Sequence, residues 1–262
     1  METKGLDQQE NKFLSDFQLD RYSRQVILSE ISESGQTKLL SSKVVIIGCG
    51  GLGCPLGLYL ASAGIGSITL VDNEKVELSN LNRQIAFKFS DVDKYKSLAL
   101  GKALKNINQE IEIKTETKRL SEHNISQIFF DKDIIVDCTD NYETRLLIAK
   151  NCFEAGIPMS FGAAVRQEGQ TAFFRAKKQK NKLSQFPCYA CLFPSQSNSK
   201  LTPRCSEVGI LGPVTGIIAS IQALNTIRYL TSQKVSNNLM LWDGLSFYEV
   251  KTDKRDGCII CG

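Results

Sequence analysis

Two groups of residues in this chain have the types and spacings to do chemistry. The first is Gly48, Gly50, Gly51 and Gly53 in the stretch VVIIGCGGLGCPLG at 44–57, with Asp72 nineteen residues beyond Gly53. Four apolar β-formers lead into the glycines and an apolar helix-like run leaves them. That is the strand, tight turn and helix N-terminus which cradles nucleotide phosphates. Asp72 ends the next apolar run, SITLVD, where an acid can bind the ribose hydroxyls of an adenosine. The second group is two CxxC pairs, Cys188 with Cys191 and Cys258 with Cys261.

Downstream residues separate a redox cofactor from a nucleotide that is consumed. Hydride transfer usually needs a proton donor near neutral pKa, commonly His or a Tyr–Lys pair. The chain has one histidine, His123, in the polar segment LSEHNIS where a solvated helix start is expected, and no tyrosine is followed four residues later by lysine. What it offers instead is a phosphate-neutralising set. LSNLNRQ supplies Asn80, Asn82, Arg83 and Gln84; Lys96 opens a helix; Asp140 and Asn141 lie at the end of an apolar strand. Ligands of open α/β sheets bind at those strand ends. Arg and Lys can hold a triphosphate, and a carboxylate can hold magnesium. The plain alternative is a set of loop surface charges. The reaction that fits the set is adenylation of a carboxylate, whose nucleophile has a pKa near ~3.5, is already ionised and needs no general base. ATP as substrate and magnesium as its ion are therefore expected.

The two cysteine pairs match a closed four-thiolate zinc site, each pair giving two ligands from one turn. The 66 residues between the pairs require the fold to bring them together. With no open coordination position, the site is expected to be structural, with redox dithiols or an iron–sulfur centre as alternatives. Cys49, Cys54, Cys138 and Cys152 sit in apolar settings and read as inert core thiols. Cys205 follows TPR in a Pro-, Ser- and Asn-rich stretch at 193–206 that reads as an exposed, mobile loop. There it is either an accessible acceptor for an activated acyl or persulfide group or an ordinary loop cysteine.

These residues need a scaffold to position them, and the chain supplies the pattern for one. Helix-like segments at 20–40 precede strands at 43–47, 67–72, 111–117 and 133–140, with helices at 52–63, 94–107 and 142–156 between them. Strand-like IPMSFGA and QTAFFRA, a helix at 212–230, and the strands LMLWD and FYEV follow. Alternation early and clustered strands late predict an α/β, Rossmann-like, mostly parallel sheet with an antiparallel C-terminal extension. At 262 residues, 42% hydrophobic and 23% charged, the chain has enough apolar material for a full core. A formal charge of +4 does not argue for nucleic acid. No apolar stretch reaches the ~18 residues of a membrane span, and the polar first eighteen residues lack a signal-peptide core, so a cytoplasmic protein is expected. The basic run RAKKQKNK at 175–182 reads as a solvated hairpin turn, with docking of an acidic partner as the alternative.

Taken together, GCGGLG, LVDNE, LSNLNRQ, DCTDN, GAAVRQEGQ, CYAC and the closing CxxC resemble the ThiF/MoeB/HesA family, bacterial relatives of ubiquitin-activating enzymes. The likeness runs from RYSRQ at 21–25 to the last residues. It implies a flexible tail at 1–18 and one adenylation domain at 19–262, with a helical segment at 19–42, a nucleotide-binding part at 43–165 and a zinc and carrier-binding part at 166–262. It implies a homodimer that uses magnesium ATP to adenylate the C-terminal glycine of a ubiquitin-like sulfur carrier. By matching motif positions, Asp72 would bind ribose, Asn80, Arg83 and Lys96 the phosphates, and Asp140 the magnesium. Arg24, by itself a surface residue, would reach into the neighbour's site as an arginine finger. Cys205 lies where ThiF-type enzymes carry the cysteine that becomes linked to the carrier; MoeB-type enzymes have a cysteine there too, so it does not separate the two. RYSRQVIL, CYACLFP and LGPVTG lean toward a ThiS-type carrier and thiamine, GAAVRQEGQ toward a MoaD-type carrier and molybdopterin. No rhodanese domain follows the last CxxC in this sequence, so a sulfur donor is expected to act in trans. Adenylation of another carboxylate, and a non-catalytic zinc-containing nucleotide module, are the competing readings.

Overall fold

The computed structural model describes residues 14–175, 186–194 and 209–262. Eight strands form one sheet in the order β3-β2-β1-β4-β5-β6-β7-β8. The parallel part comprises β1 (Lys43–Ile47), β2 (Ser67–Val71), β3 (Glu112–Glu116), β4 (Ile134–Asp137) and β5 (Met159–Val165). The antiparallel part adds β6 (Glu168–Phe174), β7 (Leu239–Trp242) and β8 (Phe247–Val250). Both parts follow the expected architecture.

The parallel strands are apolar runs because both faces are covered. On one side lie α3 (Gly53–Ala63), α4 (Lys96–Ile107) and α8 (Gly212–Leu230), whose Leu56, Leu100 and Ile218 share a core with Val44, Ile46 and Leu70. On the other lie α5 (Ile125–Phe129) and α6 (Tyr142–Ala155), which pack Ile125, Ile148 and Cys152 against Val45, Ile47 and Ile135. The strand order turns back between β1 and β4, and the crevice at the C-terminal ends of these two strands is where such sheets take ligands. The glycine loop and Asp140 come from those two ends.

The N-terminal helices are α1 (Asp16–Val26) and α2 (Ser32–Ser41). α1 starts inside the tail expected at 1–18, because Ser15 and Gln18 form a capping box and Leu14 is buried. The remainder of that expected tail, 1–13, lies outside the described residues. Three links tie α1 down: Arg21 Nη2 donates to the Ile107 carbonyl (2.5 Å), Gln25 Nε2 to the Ala63 carbonyl (3.2 Å), and Asn108 Nδ2 to the Tyr22 hydroxyl (2.9 Å). α1 is thus pinned at the C-terminal ends of α3 and α4. Among the described residues, no helix is long and apolar enough to cross a membrane.

Candidate functional site

The loop between β1 and α3 is shaped by what its glycines cannot carry. Gly48 has φ +91°, and a Cβ there would stand 2.7 Å from the Cys138 carbonyl oxygen at the end of β4. A Cβ at Gly53 would meet the Gly48 carbonyl at 2.0 Å, and one at Gly51 the Thr215 methyl at 3.0 Å. Gly50 differs: the nearest atom is Gln84 Nε2, 3.7 Å away. Gly48 and Gly53 are demanded by packing and Gly51 is tight against a side chain, whereas Gly50 leaves open space over the backbone. α3 then begins with no side-chain cap; its Cys54 N–H donates to the Gly50 carbonyl at 2.9 Å and Pro55 has no N–H, which leaves the Gly53 N–H to meet an anion.

Asp72 follows β2 directly and is braced against this loop. Its Oδ2 accepts the Cys49 N–H and its Oδ1 the Glu74 N–H, each at 2.8 Å. Burial pushes its carboxyl above the usual range, while these two N–H groups and the Lys96 charge pull it back. Lys96, with a side chain only 7% exposed, donates to Glu74 Oε2 at 2.6 Å from the first turn of α4. Ser97 Oγ donates to the Asp72 carbonyl at 3.1 Å and knits the two segments together.

The loop after β2 contributes the other polar groups. Asn80 is buried, its Oδ1 accepting the Glu77 N–H at 3.1 Å. Arg83 Nη1 donates to the Ser79 carbonyl (2.9 Å) and to Asn82 Oδ1 (3.1 Å). Gln84 is buried beside Gly50, and its Oε1 has no hydrogen-bond partner among the described residues. Beyond β4, Asn141 Oδ1 caps α6 through the Thr144 N–H at 2.9 Å. Asp140 is exposed and makes no hydrogen bond or ion pair among the described residues. An unengaged carboxylate next to a phosphate-type loop fits a hard, oxygen-seeking cation such as magnesium.

The sequence reading passed over three residues here. Glu74 holds Lys96. Asp137 and Arg145 lie beneath Asp140, with Arg145 Nε 3.8 Å from the fully buried Asp137 Oδ2. Burial raises the Asp137 carboxyl despite the Arg145 guanidinium and the Thr139 hydrogen bonds that lower it. An acid ending a strand and a base in the next helix's first turn, DCTDNYETR, was the available signal.

The cysteines behave as two classes. Cys49, Cys54, Cys138 and Cys152 are buried, and desolvation lifts each thiol well away from the thiolate, as expected of inert core residues. Cys188, Cys191, Cys258 and Cys261 converge so that all four sulfurs lie within 4.8 Å of one another. Neighbouring pairs stand at 3.4, 3.5 and 3.9 Å. Four thiolates at tetrahedral Zn–S distances of ~2.3 Å would sit about 3.8 Å apart, so the cluster fits a metal of that size. The Arg255 N–H donates to Cys191 Sγ at 3.4 Å, an outer contact suited to a thiolate ligand. The short α7 (Tyr189–Leu192) carries Cys191, and Cys188 is its N-cap residue.

Arg24 stands apart. It is exposed on α1 and has no partner among the described residues. Gly53 and Lys96 open α3 and α4, whereas α1 is pinned at their far ends, and an 11-residue helix is about 16 Å long. His123 is exposed just ahead of α5, as expected. Cys205, most of the 193–206 stretch and residues 176–182 of the basic run lie outside the described residues.

Comparison with known proteins follows the same outline. The model of the ThiF family matches residues 22–258. An adenylyltransferase and sulfurtransferase of Dictyostelium discoideum is 39% identical over 251 residues, covering 94% of this chain and 57% of that protein, so the chain spans little more than half of that relative. A molybdopterin-synthase adenylyltransferase of Escherichia coli K12 is 37% identical over 253 residues, covering 95% of this chain and 98% of the relative. A sulfur carrier protein adenylyltransferase of Thermus thermophilus is 34% identical, covering 94% and 91%. Among solved structures, E. coli MccB with ATP matches with a TM-score of 0.76 at 25% identity, over 92% of this chain and 74% of that one.

Proposed function

This chain belongs to the ThiF family, and from that premise we propose that it adenylates the C-terminal carboxylate of a small ubiquitin-like sulfur carrier, using magnesium ATP. The observation that carries the reading is the corner built by Gly50, Asp72, Gln84 and Lys96. It combines open backbone, a braced acid, an orphan buried amide oxygen and a buried cation. Three full-domain or near-full-domain likenesses support it: two relatives whose names state adenylyltransferase activity, and a structure holding ATP.

In the proposed reaction an oxygen of the carrier carboxylate forms a bond to the α-phosphorus. The bond from that phosphorus to the bridging oxygen breaks, and pyrophosphate leaves with both electrons. The loop N–H groups at Gly50–Gly53 hold phosphate oxygens, Asp72 holds the ribose, and Asn80 and Gln84 line the approach. Arg83 and Lys96 neutralise the charge that develops on the leaving group, Lys96 exchanging Glu74 for phosphate as the nucleotide enters. Magnesium, when bound at Asp140, would screen the triphosphate's charge. Catalysis is then positioning and charge stabilisation, with no proton to move.

Arg24 fits a role in trans. Pinned a helix length from the mouth of its own site, it is suited to complete the site of a second copy in a homodimer. Residues 166–262 would receive the carrier, with zinc in the four-cysteine cluster as a staple for that region, and a separate protein would donate sulfur. The test is carrier-dependent ATP–pyrophosphate exchange with ThiS-type and MoaD-type carriers, each also lacking its terminal glycine. Exchange with one intact carrier supports the reading and names the carrier. Silence with both from dimeric, zinc-loaded protein overturns it.

A further inference from the structure

Asp140 has no bond of its own, so its place is set by the backbone on either side. On its C-terminal side Asn141 is fixed as a helix cap. On its N-terminal side Thr139 is gripped at three points. Asp137 Oδ1 accepts the Thr139 N–H (2.9 Å) and the Thr139 hydroxyl (2.7 Å), and Arg145 Nη2 donates to the Thr139 carbonyl (2.5 Å).

The grip is built from groups that are costly to bury. Asp137 is wholly inside and its Oδ2 has no hydrogen bond; Arg145 Nε, 3.8 Å away, has none either. The guanidinium lies over the Phe161 ring, 5.1 Å from its centroid. Phe161 in turn meets the Tyr189 ring edge-on at 5.3 Å, so the arginine is backed by the segment carrying the first CxxC. A buried ion pair is weak support for stability, since apolar residues of like volume usually serve as well. Here it does something an apolar pair cannot: it fixes both peptides that flank Thr139, one through its N–H and the other through its C=O.

We propose that Asp137 and Arg145 are positioning residues for the adenylation reaction, a buried bracket that locks Thr139 so that Asp140 is held beside the glycine loop. The inference rests on the reading of Asp140 as the carboxylate that meets the magnesium–triphosphate. Neither residue is catalytic; both act through Thr139, which precedes Asp140.

The test uses the full-length chain with Arg145→Gln, Arg145→Lys, Asp140→Ala and the Arg145→Gln/Asp140→Ala double variant. ATP binding is titrated calorimetrically with and without magnesium, which needs no carrier, and exchange kinetics follow where a carrier is accepted. Arg145→Gln is expected to keep metal-free ATP affinity within about twofold. It should lose most of the magnesium-dependent gain, with exchange kcat down about tenfold and half-saturating magnesium raised about fivefold. Arg145→Lys, which keeps the charge without the fork, should fall between. The double variant should be no worse than Asp140→Ala, because the bracket acts only through that residue.

A lowered melting temperature with a normal magnesium gain and normal kcat in Arg145→Gln would make the pair merely structural and overturn the proposal. If Arg145→Gln does not fold, the same normal readings in Arg145→Lys overturn it. A full magnesium gain in Asp140→Ala alone removes Asp140 from the site, and with it both the bracket's purpose and the role assigned to Asp140. That failure is visible in one arm and distinct from the others.

Discussion

Every residue of β4 and all of β1 from Val44 to Ile47 is buried, whereas every residue of β8 is exposed. The two ends of one sheet therefore differ in how they are covered. Around β1 and β4 helices cover both faces, and apolar burial at ~25 cal/mol per Å² provides the cohesion. The converging cysteines pack against α6, where the buried cluster is small, formed by Phe153, Ala190 and three of the four, and a metal there would replace missing core. The difference teaches that the nucleotide corner rests mainly on apolar burial, while the cysteine segment is expected to lean on a metal.

The largest expected effect breaks this comparison directly. Cys258→Ser, or stripping the metal with a chelator, should release amide protection through 188–192 and 251–262. It should leave β1, β2 and β4 protected and ATP affinity within about twofold; structural thiolate sites of this kind are worth ~10 kcal/mol to the segments they close. Hydrogen exchange reads both regions at once, and equal loss in β1 and β4 would mean a single cooperative unit. Next comes the glycine loop. Gly53→Ala forces a Cβ to 2.0 Å from a carbonyl oxygen and should cost about 3 kcal/mol or more, a fall of roughly 6–12 °C in Tm. Gly50→Ala has room and should change Tm by less than about 2 °C while weakening ATP binding about tenfold, since its methyl occupies the open surface. Calorimetry on the pair separates packing from phosphate contact.

Smaller effects sharpen the contrast. Asn141→Ala removes a helix cap and should cost about 1 kcal/mol, measured by chemical denaturation. Leu245, 94% exposed between β7 and β8, carries almost no folding energy. Leu245→Asp should move stability by less than ~0.5 kcal/mol yet raise the KM for carrier in exchange assays, as expected if this end of the sheet receives the partner.

The buried half of the fold was legible because its signals are local. Apolar runs such as VVII and DIIV announce strands covered on both faces, and the glycine spacing with Asp72 announces a ligand corner. The start of α1 was misplaced because a polar stretch hid the Ser15–Gln18 capping box. The four cysteines could be paired by chemistry, though not by distance along the chain. The bracket of Asp137 and Arg145 was invisible for a different reason: its meaning lies in Thr139 being gripped from two sides, a relation that spacing alone does not express. The split between Gly50 and its neighbours was equally hidden, since it depends on where Cys138 and Thr215 arrive from elsewhere.

The anchoring of α1 has a genetic consequence. If Arg24 serves only the neighbouring copy, an allele lacking Arg24 and an allele lacking Lys96 are each inactive alone, yet they complement one another. A hybrid of the two has one site with both faults and one with neither. Equal co-expression with random assortment then restores about a quarter of the sites, from two genes that separately restore none.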